Sequence, residues 1–255
     1  EARVDEVCSL SEYEAKARQR WAPPHLMDTV GVFLEAYAVR AVTVPANFPV
    51  AYADRLREKG VTVAAKPDPF FPERLIKSAE EIAAIEETQR HVEAALEAAL
   101  NVLRESEIRG ERLYWRGGLL TAEALKKIIN LSLMENDCVA QHTIVACGIQ
   151  GVDPHNQGSG PIRPNESIVF DIFPRSSRTR YIADMTRTVV KGKASDDLKR
   201  MYEAVLAAQL RGIELIKGRV SGQAVHSEVT RTMERLGFET RVVAGRTQGF
   251  YHGTG

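Results

Sequence analysis

The chain has 255 residues, enough for one large domain or for a large and a small one. Lysine plus arginine equals aspartate plus glutamate at 34 each, so the net charge is zero and nothing favours a nucleic-acid or membrane-surface partner. No apolar run approaches the roughly 18 residues of a membrane helix, and Cys8, Cys138 and Cys147 are too scattered for a disulfide framework or a paired metal site. They read as reduced packing thiols of a cytoplasmic protein. Glu1 opens the chain without a basic-then-apolar leader, so no signal peptide is expected. The missing initiator methionine and the abrupt end at Gly255 predict a piece of a longer chain.

In chain order, residues 1–72 read as a small N-terminal α/β unit. Its strands are expected at Ala41–Val44 and Val61–Ala65 around a helix over Tyr52–Lys59, and the proline-rich stretch Pro67–Pro72 marks a linker. His25 lies in an irregular stretch and carries no assigned role. From 73 to 255 a second domain is expected. Ser78 and Glu81 spell a capping box, and Ile82, Ile85, Val92, Leu96, Ala99 and Leu103 trace one helical stripe behind it. A helix after Thr121 should bury Leu125, Ile128 and Ile129. Strands follow around 142–148, 167–173 and 181–190. Ser195 should cap a helix reaching Lys217, and a last helix should run from Gly222 to Leu236. Helix pairs around a central antiparallel sheet make the class α+β.

Two aspartates interrupt apolar strand sequences, Asp171 in Ser167–Phe173 and Asp184 in Tyr181–Val190. If the hairpin folds symmetrically about Ser177 and Arg178, the two stand opposite each other with Cβ atoms about 5 Å apart, where like charges repel. Aspartate is depleted in strands and costly to bury unpaired, so the pair points to a cation between the carboxylates. A histidine nitrogen would complete a mixed site for Mn, Co, Zn or Fe. The competing reading is a register slip or bulge that leaves one aspartate on a solvated face. His142 begins a strand nearby and reads as a packing residue, with a supporting place behind the site's ligands as the alternative. Arg187 reads as a buried arginine bonding carbonyls or a helix end, and Arg175, Arg178 and Arg180 as a solvated hairpin tip. No Gly-x-Ser-x-Gly elbow supports serine hydrolysis.

At these residues the chain resembles the pita-bread metallopeptidases: methionine aminopeptidase, aminopeptidase P and prolidase. The resemblance is carried by Phe170-Asp171, by Asp184-Met-Thr-Arg-Thr188, by His252-Gly-Thr-Gly255, and by Ile144–Gly148 followed by Asp153-Pro-His155. It extends from about Arg74 to the last residue, and Arg74–Ile82 with the small N-terminal unit is similar to the Xaa-Pro peptidase branch. It implies the pita-bread (creatinase/aminopeptidase) fold and a centre of two divalent ions, manganese first, with Co, Zn or Fe as alternatives. Asp171 would bind one ion, Asp184 would bridge both, His252 would bind the other, and His155 would stand beside the reacting carbonyl. The family's two glutamates and further histidine would fall after Gly255. The resemblance therefore implies a C-terminally incomplete fold, three assignable ligands of five, and a partly filled site at best.

The implied activity is metal-dependent exopeptidase hydrolysis of short peptides, at Xaa-Pro bonds, with a homodimer as the candidate assembly. A non-catalytic peptide-binding member of the same fold is the alternative. Nothing in the residues themselves reads proline.

Overall fold

The computed structural model describes residues 6–243 and 245–250. The chain divides into two compact units, Glu1–Lys77 and Ser78–Gly255.

The first unit holds helices α1 (Leu10–Arg18), α2 (Leu26–Ala36) and α3 (Val50–Arg57), with strands β1 (Ala41–Pro45) and β2 (Thr62–Lys66). β1 and β2 pair in parallel, as two strands joined through a crossover helix do. Met27, Leu34, Ala53, Leu56, Val61 and Val63 form its core. Both expected strands and the helix between them are present; α1 and α2 are additions. His25 is the cap of α2: its Nδ1 accepts from the Met27 amide at 3.1 Å, and Asp28 accepts from the His25 amide at 2.8 Å.

The second unit opens with α4 (Ala79–Glu105), a helix of 27 residues started by the expected capping box. The Glu81 amide donates to Ser78 Oγ at 3.2 Å, and the Ser78 amide donates to the Glu81 carboxylate at 2.7 Å. These bonds satisfy donors that a helix start otherwise leaves without partners. Ser78→Ala should therefore cost about 1 kcal/mol, measured by denaturant unfolding; an unchanged midpoint would show that the box contributes nothing. Of the expected stripe, Val92, Leu96, Ala99 and Leu103 are buried, whereas Ile82 is 47% exposed.

A small meander of β3 (Glu107–Arg109), β4 (Arg112–Trp115) and β5 (Gly118–Leu119) leads to α5 (Ala122–Met134), which packs beside α4. The Thr121 side chain caps α5 through the Ala124 amide. Next come β6 (Cys138–Val139), β7 (Ile144–Cys147), a 3-10 turn at Gly148–Val152, β8 (Ser167–Ile172), β9 (Arg175–Ser176) and β10 (Met185–Val190). β8 is the centre of an antiparallel sheet of order β10-β8-β7, and β6 pairs with β9. Period-two alternation decides what each face of β8 meets. Ile168, Phe170 and Ile172 are fully buried and share one core with residues of α4 and α5, while Val169 and Asp171 face the other way and are half-buried. Burying the Phe170 ring contributes about 2–3 kcal/mol.

Cys138 and Cys147 lie in the same core, and burial raises both thiols above their ordinary values. Helices α6 (Asp196–Leu215) and α7 (Gly222–Arg235) then form a second helix pair, closely apposed where Gly212 meets Val229. Strands β11 (Arg241–Val243) and β12 (Arg246–Gln248) follow. Among the described residues no helix is long and apolar enough to cross a membrane.

Candidate functional site

The hairpin that carries both aspartates is shifted from the symmetric fold expected above. Asp171 stands opposite Thr186, and Met185 opposite Ile172. The register continues through the bridge between Arg175 and Ile182 and the bond from the Ser176 amide to the Tyr181 carbonyl at 2.9 Å. Asp184 precedes β10 by one residue and is a diagonal neighbour of Asp171. The displacement is two residues, and side chains alternate with period two, so both aspartates stay on one face; a slip of one would have separated them.

The opposed partner, Thr186, donates its hydroxyl to Asp171 Oδ1 at 2.6 Å. That residue was visible in the Asp-Met-Thr-Arg-Thr run but had been given no role. Asp184 is held above the ordinary carboxylate value, first by desolvation and then by the negative charge of Asp171. Among the described residues no lysine or arginine forms an ion pair with either carboxylate. Two uncompensated carboxylates on one face fit part of the oxygen donor set of a divalent cation. They do not complete one: among the described residues no three His, Cys, Asp or Glu side chains converge. His252 lies outside the described residues.

His155 follows the 3-10 turn at Gly148–Val152, which packs against β8 where Gly151 sits on the Val169 side chain. Val169 shares the face of Asp171, so the turn lies over the aspartate side of the sheet. The His155 amide donates to Asp153 Oδ1 at 2.9 Å and the Asn156 amide to the Asp153 carbonyl at 3.1 Å, which tightens the chain into an Asx turn. Beyond it the backbone is stitched down at several points. The Val145 amide, on the outer edge of β7, donates to the Gln157 carbonyl at 3.1 Å. Lys126 of α5 donates to the Gly158 carbonyl at 2.8 Å, and Gln150 brackets Ser159 through its amide and carbonyl. Glu123 accepts from the Gly160 amide at 3.0 Å, a bond that lowers its carboxyl below the ordinary value. The Gly-Ser-Gly segment is thus a fastened edge cover, not a loose turn.

Other sequence readings are corrected here. Arg187 is exposed, not buried, and donates to the Thr186 carbonyl of its own strand at 2.8 Å. The hairpin-tip reading stands, for Arg175, Arg178 and Arg180 are all exposed; in addition the tip is tied to α4, with Arg178 bonding Glu87 and the Tyr181 hydroxyl bonding Glu81. His142 is exposed, not packed. Its imidazole meets Gln157, a contact between residues 15 apart that no sequence spacing announces.

Residues 83–255 match the family described as Metallopeptidase family M24. The Xaa-Pro dipeptidase of Pyrococcus horikoshii is 24% identical over 231 residues, covering 89% of this chain and 62% of that protein. The Xaa-Pro dipeptidase of Pyrococcus furiosus is 26% identical over 166 residues, 65% of this chain and 44% of that protein. Among solved structures, an Xaa-Pro dipeptidase from Bacillus anthracis superposes with a TM-score of 0.72 at 21% identity, covering 84% of this chain and 58% of that one. Prolidase from Pyrococcus furiosus gives 0.67 at 24% identity, covering 81% and 59%. The chain therefore spans less than two thirds of these relatives' length. The architecture it shares with them is the pita-bread α+β fold. By the match over residues 83–255, the chain belongs to metallopeptidase family M24.

Proposed function

We propose that this chain carries part of the centre of a metal-dependent exopeptidase that cleaves short peptides at Xaa-Pro bonds. The observation that carries the reading is the pair Asp171 and Asp184, two carboxylates on one face that form no ion pair with a lysine or arginine among the described residues. Asp171, Asp184 and His252 would hold divalent ions, manganese first and two in number. The chemistry supplied at such a centre is Lewis-acid polarisation of a carbonyl. Thr186 orients the Asp171 carboxylate by its hydroxyl bond. His155, on a loop fixed at both ends, would donate a hydrogen bond to the substrate oxygen as negative charge develops there. The preference for proline is supported by the names of the relatives, Xaa-Pro dipeptidases and an Xaa-Pro aminopeptidase.

A pH argument gives the first test. A carboxylate whose folded pKa is raised contributes most to stability while protonated, below about pH 4, and loses that contribution as pH rises through the raised value. At neutral pH the ionised Asp184 therefore opposes folding. Asp184→Asn should raise the melting temperature of the metal-free chain at pH 7. Manganese at about 100 times its Kd should stabilise the wild-type chain by about 2.7 kcal/mol and the variant not at all. Equal stabilisation of both proteins would remove Asp184 from the site. Hydrolysis of Ala-Pro against Ala-Ala with manganese reads the substrate class. Preference for Ala-Pro by a protein that carries the complete centre supports the proposal; no cleavage by such a protein with manganese bound leaves a peptide-binding role.

A further inference from the structure

His142 has a left-handed backbone, with φ at 62°. Asp137, just after α5, and Arg180, in the hairpin tip, share that sign of φ where a helix end and a turn ask for it. His142 instead lies in the connection between β6 and β7, which pair with β9 and with β8 in two separate sheets. Val139 pairs with Arg175 and Ile144 with Asp171, so four residues, 140–143, join the two pairings on this side and three, 172–174, on the other. A left-handed histidine is strained and persists only where its surroundings hold it. Here they do: Thr143 is buried and donates its hydroxyl to Asn130 Oδ1 of α5 at 2.8 Å.

The aim of the His142 side chain is specific. Gln157 Nε2 donates to His142 Nδ1 at 3.0 Å, which leaves the imidazole proton on Nε2. The same Gln157 accepts, through its carbonyl, from the Val145 amide and from Lys126. Gln157 is two residues from His155. We infer that His142 is a positioning residue: from its left-handed backbone the imidazole clamps Gln157, and so holds the 153–160 segment and His155 over the edge of β7. That role toward His155 rests on the functional reading above; the clamp does not.

The test reads the clamp without turnover, so failure of the peptidase reading leaves its result intact. The Val145 amide has the Gln157 carbonyl as its partner, and its hydrogen exchange reports release of the segment. His142→Gly keeps the left-handed backbone and removes the clamp. Val145 exchange should rise about tenfold, the scale of one side-chain hydrogen bond, while the Phe170 amide in the central strand stays as it was. His142→Asn should return Val145 to the wild-type rate, because asparagine tolerates the left-handed region and places an acceptor oxygen on Cγ where histidine has Nδ1. Wild-type exchange in His142→Gly, or no restoration by His142→Asn, overturns the inference. If the glycine variant does not fold, imidazole nitrogen spectra of the wild-type chain decide. Nδ1 must be unprotonated and hydrogen-bonded; a protonated Nδ1 overturns the inference equally.

Discussion

Asp28→Ala should destabilise the N-terminal unit by about 3 kcal/mol, followed through Trp21 fluorescence during denaturant unfolding. The Asp28 side chain is wholly buried. Arg55 donates to both of its oxygens, at 2.9 and 2.7 Å; Lys59 approaches at 2.6 Å, and the His25 amide completes the set at 2.8 Å. One carboxylate thus ties the start of α2 to α3 and to the turn after it. Lys59 in turn lies over the Trp21 ring at 3.9 Å, which makes that indole a local reporter. Removing the carboxylate leaves Lys59 half-covered without its counter-charge and takes an acceptor from the cap of α2. The expected figure is the lower end for a broken buried pair, because the Arg55 side chain is 38% exposed and can rehydrate.

The same site sets an acid limit. Arg55 above all, then Lys59 and the His25 amide, hold the Asp28 carboxyl well below the ordinary carboxylate range. Its contribution is complete above about pH 4, the unfolded value, and is lost as pH falls through the lower folded value. Asp28→Asn should flatten that acid limb of the Trp21 signal. A variant within 0.5 kcal/mol of wild type, the usual scatter of surface changes, would show that the network contributes nothing net.

Gly158→Ala should cost about 3 kcal/mol or more, as changes at strained backbone positions with no room do. Gly158 has φ at 73°, and a Cβ there would lie 1.8 Å from the Val145 carbonyl oxygen and 2.5 Å from its carbon. Neither atom can yield, since Val145 is fully buried in a strand that pairs with β8. The segment itself must lift, breaking the Gln157 bond to the Val145 amide and the two Lys126 bonds. Trp115, in the second unit, should report a lower unfolding midpoint, and proteolysis within residues 153–160 should accelerate. A midpoint equal to wild type would mean that the segment is not docked against β7.

Local rules explain why some features were legible before any coordinates. Ser78 with Glu81, Thr121 and Ser195 each begin a helix because a short polar side chain at that position accepts from an amide two or three residues on, and nothing distant is needed. Ile168, Phe170 and Ile172 announce one buried face of β8 by alternation alone, and the same alternation puts Asp171 on the other face. What was missed locally has local causes too. α2 is capped by a histidine, outside the usual capping residues, and Ser9 before α1 makes no side-chain cap bond.

The composition of the site depended on contacts that sequence spacing does not encode. A hairpin's register follows from its turn, and the 176–181 tip closes with Arg180 in the left-handed region, which moves Thr186, not Asp184, opposite Asp171. The aspartates kept a common face because the shift was even. His142 lies in the connection between two strand pairings, and its bond to Gln157 joins residues that only the folded sheet edge brings together. Sequence alone marked the starts of α4, α5 and α6, the buried face of β8 and the strand setting of the two aspartates, because caps and alternation act within a few residues. Tertiary structure decided which groups face those carboxylates and what holds the His155 segment, because register and edge docking depend on the closure of distant segments.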